Sequence, residues 1–186
     1  MRMDEGLLAF LLRAEGIKDR PRRGWLRAGV ARPESVADHA WGVAMLALLA
    51  PAPGVDRARA VELALLHDVC EAAVGDLVPG EYASREAKLA VERAGLEEML
   101  RGAPSALRAR VLDAFDELAR DATPEARFVH AMDKVEMALQ ARRYEDRGVA
   151  SDALASFRAS ARASAPGHAE ALDALVRGSG QKADLP

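Results

Sequence analysis

From residue 4 to residue 177 the apolar side chains recur at three- and four-residue intervals, and no segment shows the two-residue alternation of a half-buried strand. That period confines the chain to helices laid on helices. Leu7, Leu8, Phe10, Leu11 and Leu12 predict a first helix over 4–15, ending near Gly16. A loop punctuated by Pro21, Gly24, Gly29 and Pro33 follows. Ser35-Val36-Ala37-Asp38 has the pattern of a capping box opening a helix over 36–50, which Pro51-Ala52-Pro53-Gly54 stops. Asp56 caps a helix expected to run unbroken over 57–74, with Gly75 ending it. Further helices are predicted over 84–101, 105–120, 124–146, 151–163 and 167–177, the third of these being opened by the N-cap and first-turn pair Thr123-Pro124. The expectation is a single all-α domain of seven or eight helices over 1–177, with a polar tail over 178–186.

A chain of 186 residues can bury one substantial core. Its formal charge of −3 argues against a general nucleic-acid binder. The longest apolar run, 40–52, falls short of the roughly 20 residues that span a bilayer. Asp4 and Glu5 stand where a secretory signal would be basic, so a cytoplasmic location with no membrane association is expected. One cysteine, Cys70, excludes an internal disulfide; with Asp68 and Glu71 nearby its thiolate is suppressed, and it reads as a packing residue. Lys18, Arg20, Arg22, Arg23, Arg27 and Arg32 stand against a single acid, Asp19, between residues 18 and 32. Such a run is most often a solvated loop, but it is also a candidate anion site.

His67-Asp68, late in an apolar helical run, is costly to bury without partners. Alone, the pair is ordinarily a hydrogen-bonded core histidine beside a surface aspartate. His39 lies in the first turn of the preceding helix, and Asp133 sits within the apolar face of a later one, among Phe128, Val129, Met132 and Val135. Asp133 alone could equally be a buried ion-pair partner. Together, two imidazoles and two carboxylates suit one divalent ion, Mn, Co, Fe or Mg, better than a thiolate set would. Glu71 stands one helical turn past His67 and can orient an attacking water as general base, although helix-end glutamates are common on surfaces. Asp76 can orient a sugar hydroxyl or leaving oxygen, or simply form the turn after Gly75. His130 reads as a core or supporting histidine, and His168 as exposed.

The order His39, His67-Asp68, Asp133 resembles the H…HD…D signature of the HD-domain metal-dependent phosphohydrolases. Arg22-Arg23-Gly24-Trp25, the segment from Pro33 to His39, His67 through Pro79 and Asp133 through Met137 resemble the 5′-deoxynucleotidase branch, covering residues 22 to about 146. The resemblance implies an HD-domain helical bundle that hydrolyses (deoxy)ribonucleoside 5′-monophosphates to nucleoside and phosphate. It implies one divalent metal held by His39, His67, Asp68 and Asp133, with Glu71 on the nucleophilic water and Asp76 near the sugar or scissile oxygen. Arg22 or Arg23 would take the phosphate, and Trp25 would pack on the sugar or base. A homodimer is expected, as relatives commonly form one. Asp38 stands where a glutamate usually precedes the first histidine, and Gly24 separates the arginines from Trp25. Lys88 matches a helix seen after the loop in this family, with no role assigned. The competing readings are another HD phosphoesterase, acting on a cyclic nucleotide, a dNTP or guanosine tetraphosphate, and a non-catalytic HD binding module.

Overall fold

Side-chain caps decide where most helices of this protein begin. A computed structural model describes residues 4–165. Helix α1 spans Glu5–Ala14 under an Asp4 cap that accepts from Gly6 and Leu7, and a 3-10 turn, Glu15–Asp19, extends it. The short helix α2 is Arg23–Arg27. Helix α3, Val36–Leu49, opens with the full capping box, Ser35 and Asp38 each bonded to the other's backbone N–H. Helix α4, Arg57–Leu66, is capped by Asp56, and α5, Glu71–Val74, is a single turn. Ser84 caps α6, Arg85–Met99, which is followed by α7, Ser105–Ala119. Helix α8, Pro124–Asp146, starts where Thr123 Oγ1 accepts from the Ala126 N–H. A 3-10 turn, Ser151–Leu154, leads into α9, Ala155–Ser164.

The expected all-α class is what the chain adopts. Seven of these helices have ten or more residues, and the one β-type pairing among the described residues is an isolated bridge, Pro21 to Ser35. The helix expected over 167–177, the tail over 178–186 and His168 lie outside the described residues. Two departures from expectation matter. The arginine loop contains α2, which at five residues is too short to show a period. The helix expected over 57–74 is interrupted: α4 stops at Leu66, and residues 67–70 form a turn before α5.

The described residues fall into two compact units, one ending at Val129 and the other beginning at His130. In the first, α3 packs along α4, and α5 packs on α6. Phe10, Val69, Cys70, Leu96, Met99, Leu100 and Val111 form one apolar cluster. Val69 and Cys70 anchor the 67–70 turn in that core, so the polar residues on either side of them, Asp68 and Glu71, are held by their neighbours' burial. In the second unit, Arg158 bonds Glu145 and donates to the Ser151 carbonyl at 2.9 Å, tying α9 to the end of α8.

Gly95 allows the close approach of α6 to α5. A Cβ there would lie 2.5 Å from Val74 Cγ1 and 3.4 Å from Ala73 Cβ. Val74 is β-branched and has no alternative rotamer of low cost in a helix. Gly95→Ala, which in an open helix gains about 1 kcal/mol, is therefore expected to cost about 1–3 kcal/mol through overpacking. Urea unfolding reads this as a lower midpoint with an unchanged slope; a raised midpoint contradicts it.

Candidate metal centre

The interruption after Leu66 is what assembles the centre. Past that point the backbone bonds shorten from four residues to three: Val69 N–H to Leu66 O at 3.2 Å, Glu71 N–H to Asp68 O at 3.0 Å and Ala72 N–H to Val69 O at 3.2 Å. In such winding, residues three apart lie over one another. Asp68 and Glu71 therefore share a side, and the centre is built from the turn rather than from one face of a continuous helix.

His67 Nδ1 lies 2.7 Å from the Ala64 carbonyl oxygen. An oxygen with only lone pairs to offer requires the proton on Nδ1, which leaves Nε2 as the free donor atom. That Nε2 is 3.4 Å from His39 Nε2 and 3.1 Å from Asp68 Oδ2, and His39 Nε2 is 3.8 Å from the same Asp68 oxygen. His39 is fully buried near the start of α3. A point equidistant from three atoms so spaced lies about 2.0 Å from each, the length of a metal–nitrogen or metal–oxygen bond. The donors are two imidazoles and a carboxylate, a set suited to a divalent first-row ion. His39, His67 and Asp68 thus fit a metal in both spacing and chemistry, as three of the four residues expected.

Asp133 belongs to the second unit. There its Oδ2 accepts from Lys134 Nζ at 2.8 Å, and its side chain is largely buried.

The arginine segment is fixed to the start of α3 by backbone pairing. The Arg22 N–H donates to Glu34 O at 3.0 Å, and the Val36 N–H donates to Arg20 O at 2.8 Å. Arg22 then reaches the carboxylates: Nη1 is 3.0 Å from Asp68 Oδ2, 3.8 Å from Asp76 Oδ1 and 3.9 Å from Glu71 Oε1. Arg23 turns elsewhere. Its backbone N–H donates to Asp76 Oδ2 at 2.5 Å, and its guanidinium bonds both oxygens of Glu81. Trp25 is 1% exposed, with its indole N–H on Glu34 Oε1 at 2.8 Å. The ring is an interior anchor for α2, a setting that the sequence did not reveal. Gly75, at φ 80°, turns the chain sharply after α5 and returns Asp76 toward Arg22 and Arg23. Asp76 is therefore a bonded, buried part of the site rather than a plain turn residue.

Negative charge is concentrated here. Burial opposes ionisation of Asp68, but His67, Arg22 and His39 outweigh it and hold the carboxyl well below the usual range. Burial, reinforced by Asp68 and Asp76, pushes Glu71 up to about 10 against the pull of Arg22 and Lys88. Glu71 is 2% exposed, and its Oε2 has no hydrogen-bond partner among the described residues. Lys88 pairs with buried Glu92 at 3.0 Å; burial works against its charge, but Glu92, Asp68 and Glu71 raise its pKa. Burial likewise raises Glu92, with Lys88 opposing. The Cys70 thiol is pushed up by burial and then by Glu92, Asp68 and Glu71, in keeping with a packing role. Sequence reading missed Glu92 and Glu81. Glu92 was detectable, since it lies between Leu89 and Leu96 on the apolar face of α6, the same anomaly that marked Asp133. Glu81, in a loop, carried no periodic signal.

The HD domain family matches residues 14–172, and the chain belongs to that family. Among its relatives is the 5′-deoxynucleotidase HDDC2 of Xenopus laevis, 37% identical over 76% of this chain and 71% of that protein. The human 5′-deoxynucleotidase HDDC2 is 36% identical over 75% of this chain and 69% of its own length. Among solved structures, the PH0347 protein from Pyrococcus horikoshii OT3 superposes with a TM-score of 0.72 at 26% identity, covering 89% of this chain and 97% of that one.

The raised Glu71 has a consequence for stability. The unfolded chain releases this proton near 4.5, whereas the folded metal-free protein keeps it to about 10. Between those values the unfolded state binds fewer protons, so this group's contribution to stability falls as pH rises. Metal-free Glu71→Gln is expected to melt above the wild type at pH 8, with the gap closing toward pH 5. Circular-dichroism melts in EDTA test this, and a variant melting at or below the wild type at pH 8 contradicts it.

Proposed function

We propose that this protein is a metal-dependent phosphomonoesterase that hydrolyses nucleoside 5′-monophosphates, deoxyribose forms included, to nucleoside and inorganic phosphate. The observation that carries the reading is the His39–His67–Asp68 donor triangle with buried Glu71 and Arg22 against it. The 5′-deoxynucleotidase names of the relatives support it. A single family match across residues 14–172 supports treating the chain as one HD domain, with 178–186 as a tail beyond it.

His39, His67 and Asp68 would hold the ion, with Asp133 as fourth ligand on the strength of the family resemblance alone. When bound, the ion supplies Lewis-acid stabilisation of phosphoryl charge and favours ionised water at neutral pH. Its positive charge would also offset the negative cluster and lower the Glu71 pKa. Glu71, with an unpaired oxygen in the interior, then accepts the proton of the attacking water. Arg22 is the arginine aimed at the centre, and it neutralises phosphate charge; the side chain of Arg23 is engaged by Glu81. Asp76, oriented by the Arg23 N–H, stands toward the sugar or leaving oxygen. The burial of Trp25 supports a role in holding the Arg22 segment rather than an open stacking face.

No helix among the described residues is long and apolar enough to cross a membrane. A cytoplasmic location and a homodimer complete the reading, the latter in keeping with Trp41 and Leu49 of α3, which are 66% and 69% exposed in the single chain.

Purified protein with Mn²⁺, Co²⁺ or Mg²⁺ is expected to release phosphate from at least one nucleoside 5′-monophosphate, and EDTA is expected to abolish the release. Glu71→Gln should retain metal yet lose turnover by a factor of about 100 or more, while Asp68→Ala should lose both. Malachite-green assays beside metal analysis read both outcomes. Absence of release from every deoxy- and ribonucleotide tested sinks the proposal. Release from cyclic nucleotides, dNTPs or guanosine tetraphosphate alone favours another HD phosphoesterase.

A further inference from the structure

Glu81 is the meeting point of two segments that frame the centre. Its Oε1 accepts from Arg27 Nη2 at 3.0 Å and from Arg23 Nη2, and its Oε2 accepts from Arg23 Nη1 at 2.7 Å and from the Val78 N–H at 3.3 Å. Arg23 and Arg27 are four apart, so α2 presents both to one carboxylate. The same arginines bond the backbone of the opposing segment, Arg23 Nη1 to Asp76 O at 3.2 Å and Arg27 Nη1 to Pro79 O at 2.7 Å. Just before these residues, the Arg23 N–H holds Asp76 Oδ2, and Arg22 reaches Asp68.

We infer that Glu81 is a positioning residue: with Arg23 and Arg27 it clamps the 76–81 segment to α2, and so sets where Arg22 and Asp76 stand relative to the metal ligands. The inference rests on the proposed phosphomonoesterase reading. It also gives Arg23 a part in the clamp in place of direct phosphate binding.

Exposed ion pairs contribute little to stability, and here Arg23 and Arg27 have side chains 44% and 50% exposed. What the clamp fixes is register. Five side-chain bonds from two arginines converge on Glu81, Asp76 O and Pro79 O, and these hold a segment that Gly75 and Gly80, both at positive φ, leave conformationally free. Loss of the clamp should therefore weaken substrate capture while sparing the fold, the metal and the proton transfer at Glu71.

The test is a kinetic double-mutant cycle on the metal-loaded full chain: wild type, Glu81→Ala, Arg23→Ala and the double variant, with Glu81→Gln as a variant that keeps the side chain's volume. The wild type is assayed first with the deoxynucleoside 5′-monophosphate it turns over fastest. Glu81→Ala is expected to raise KM about fivefold or more with kcat within about twofold, the signature of lost binding. Mn²⁺ affinity and melting temperature should stay close to wild type, and Glu81→Gln should fall between. Arg23→Ala and the double variant should show the same rise as Glu81→Ala, because residues acting as one unit are not additive. Unchanged KM in both Glu81 variants overturns the inference, and so do KM factors that multiply in the double variant, since Arg23 would then act on substrate independently. If Glu81→Ala fails to fold, a wild-type KM in Glu81→Gln overturns it equally. A wild type without turnover sinks the proposed function and this inference with it; turnover with unaffected variants sinks this inference alone.

Discussion

Buried negative charge is the constraint on which the first unit depends. Asp68, Glu71, Asp76 and Glu92 are all wholly or largely buried, and the cations placed against them are Arg22 and Lys88. A carboxylate removed from water is tolerated only when opposite charge or hydrogen bonds replace its hydration. Asp68 meets that condition through His67, Arg22 and His39, whereas Glu71 is left protonated by its surroundings. A divalent ion held at the His39–His67–Asp68 triangle, as proposed, would bring the missing positive charge to the place where burial is costliest. In the proposed reading, the stability this protein forgoes at Glu71 is the same feature that would make Glu71 a competent base once that charge is present.

The apolar core makes the arrangement possible. Val69 and Cys70 are fixed among Phe10, Leu96, Met99 and Leu100, so the 67–70 turn cannot slide. The change from four-residue to three-residue hydrogen bonding at Leu66 then stacks Glu71 over Asp68. Gly95 lets α6 approach α5 closely enough to support that turn from behind. Gly75 reverses the chain so that Asp76 can bond the arginine segment. Core packing, a helix interruption and a glycine turn are thus successive conditions for one cluster of polar side chains.

Much of this was legible in the sequence because it follows from local chemistry. Ser35 with Asp38, Asp56 and Thr123 announce helix starts through their own hydrogen bonds, and the capped helices begin where those residues stand. His39, His67 and Asp68 were marked by polar chemistry at apolar positions, and the fold brings their donor atoms together. The interruption at Leu66 was not legible, since over four residues the apolar spacing of a 3.6-residue and a 3.0-residue winding is the same. Helix α2 was too short for a period, and the burial of Trp25 depends on Glu34, a partner nine residues away that no local rule supplies. The different settings of Arg22 and Arg23 depend on Glu81, which bonds Arg23 from 58 residues away. Long-range ion pairing has no sequence period, which is why the clustering of His39, His67 and Asp68 could be anticipated from the sequence and the pairing of Arg22 and Arg23 could not.

Anomalous diffraction from crystals grown with Mn²⁺ tests the central claim most directly. The account predicts one anomalous peak per chain, about 2.0–2.3 Å from His39 Nε2, His67 Nε2 and Asp68 Oδ2, and loss of that peak in Asp68→Ala crystals. A peak at other residues, or no peak at saturating Mn²⁺, would contradict it.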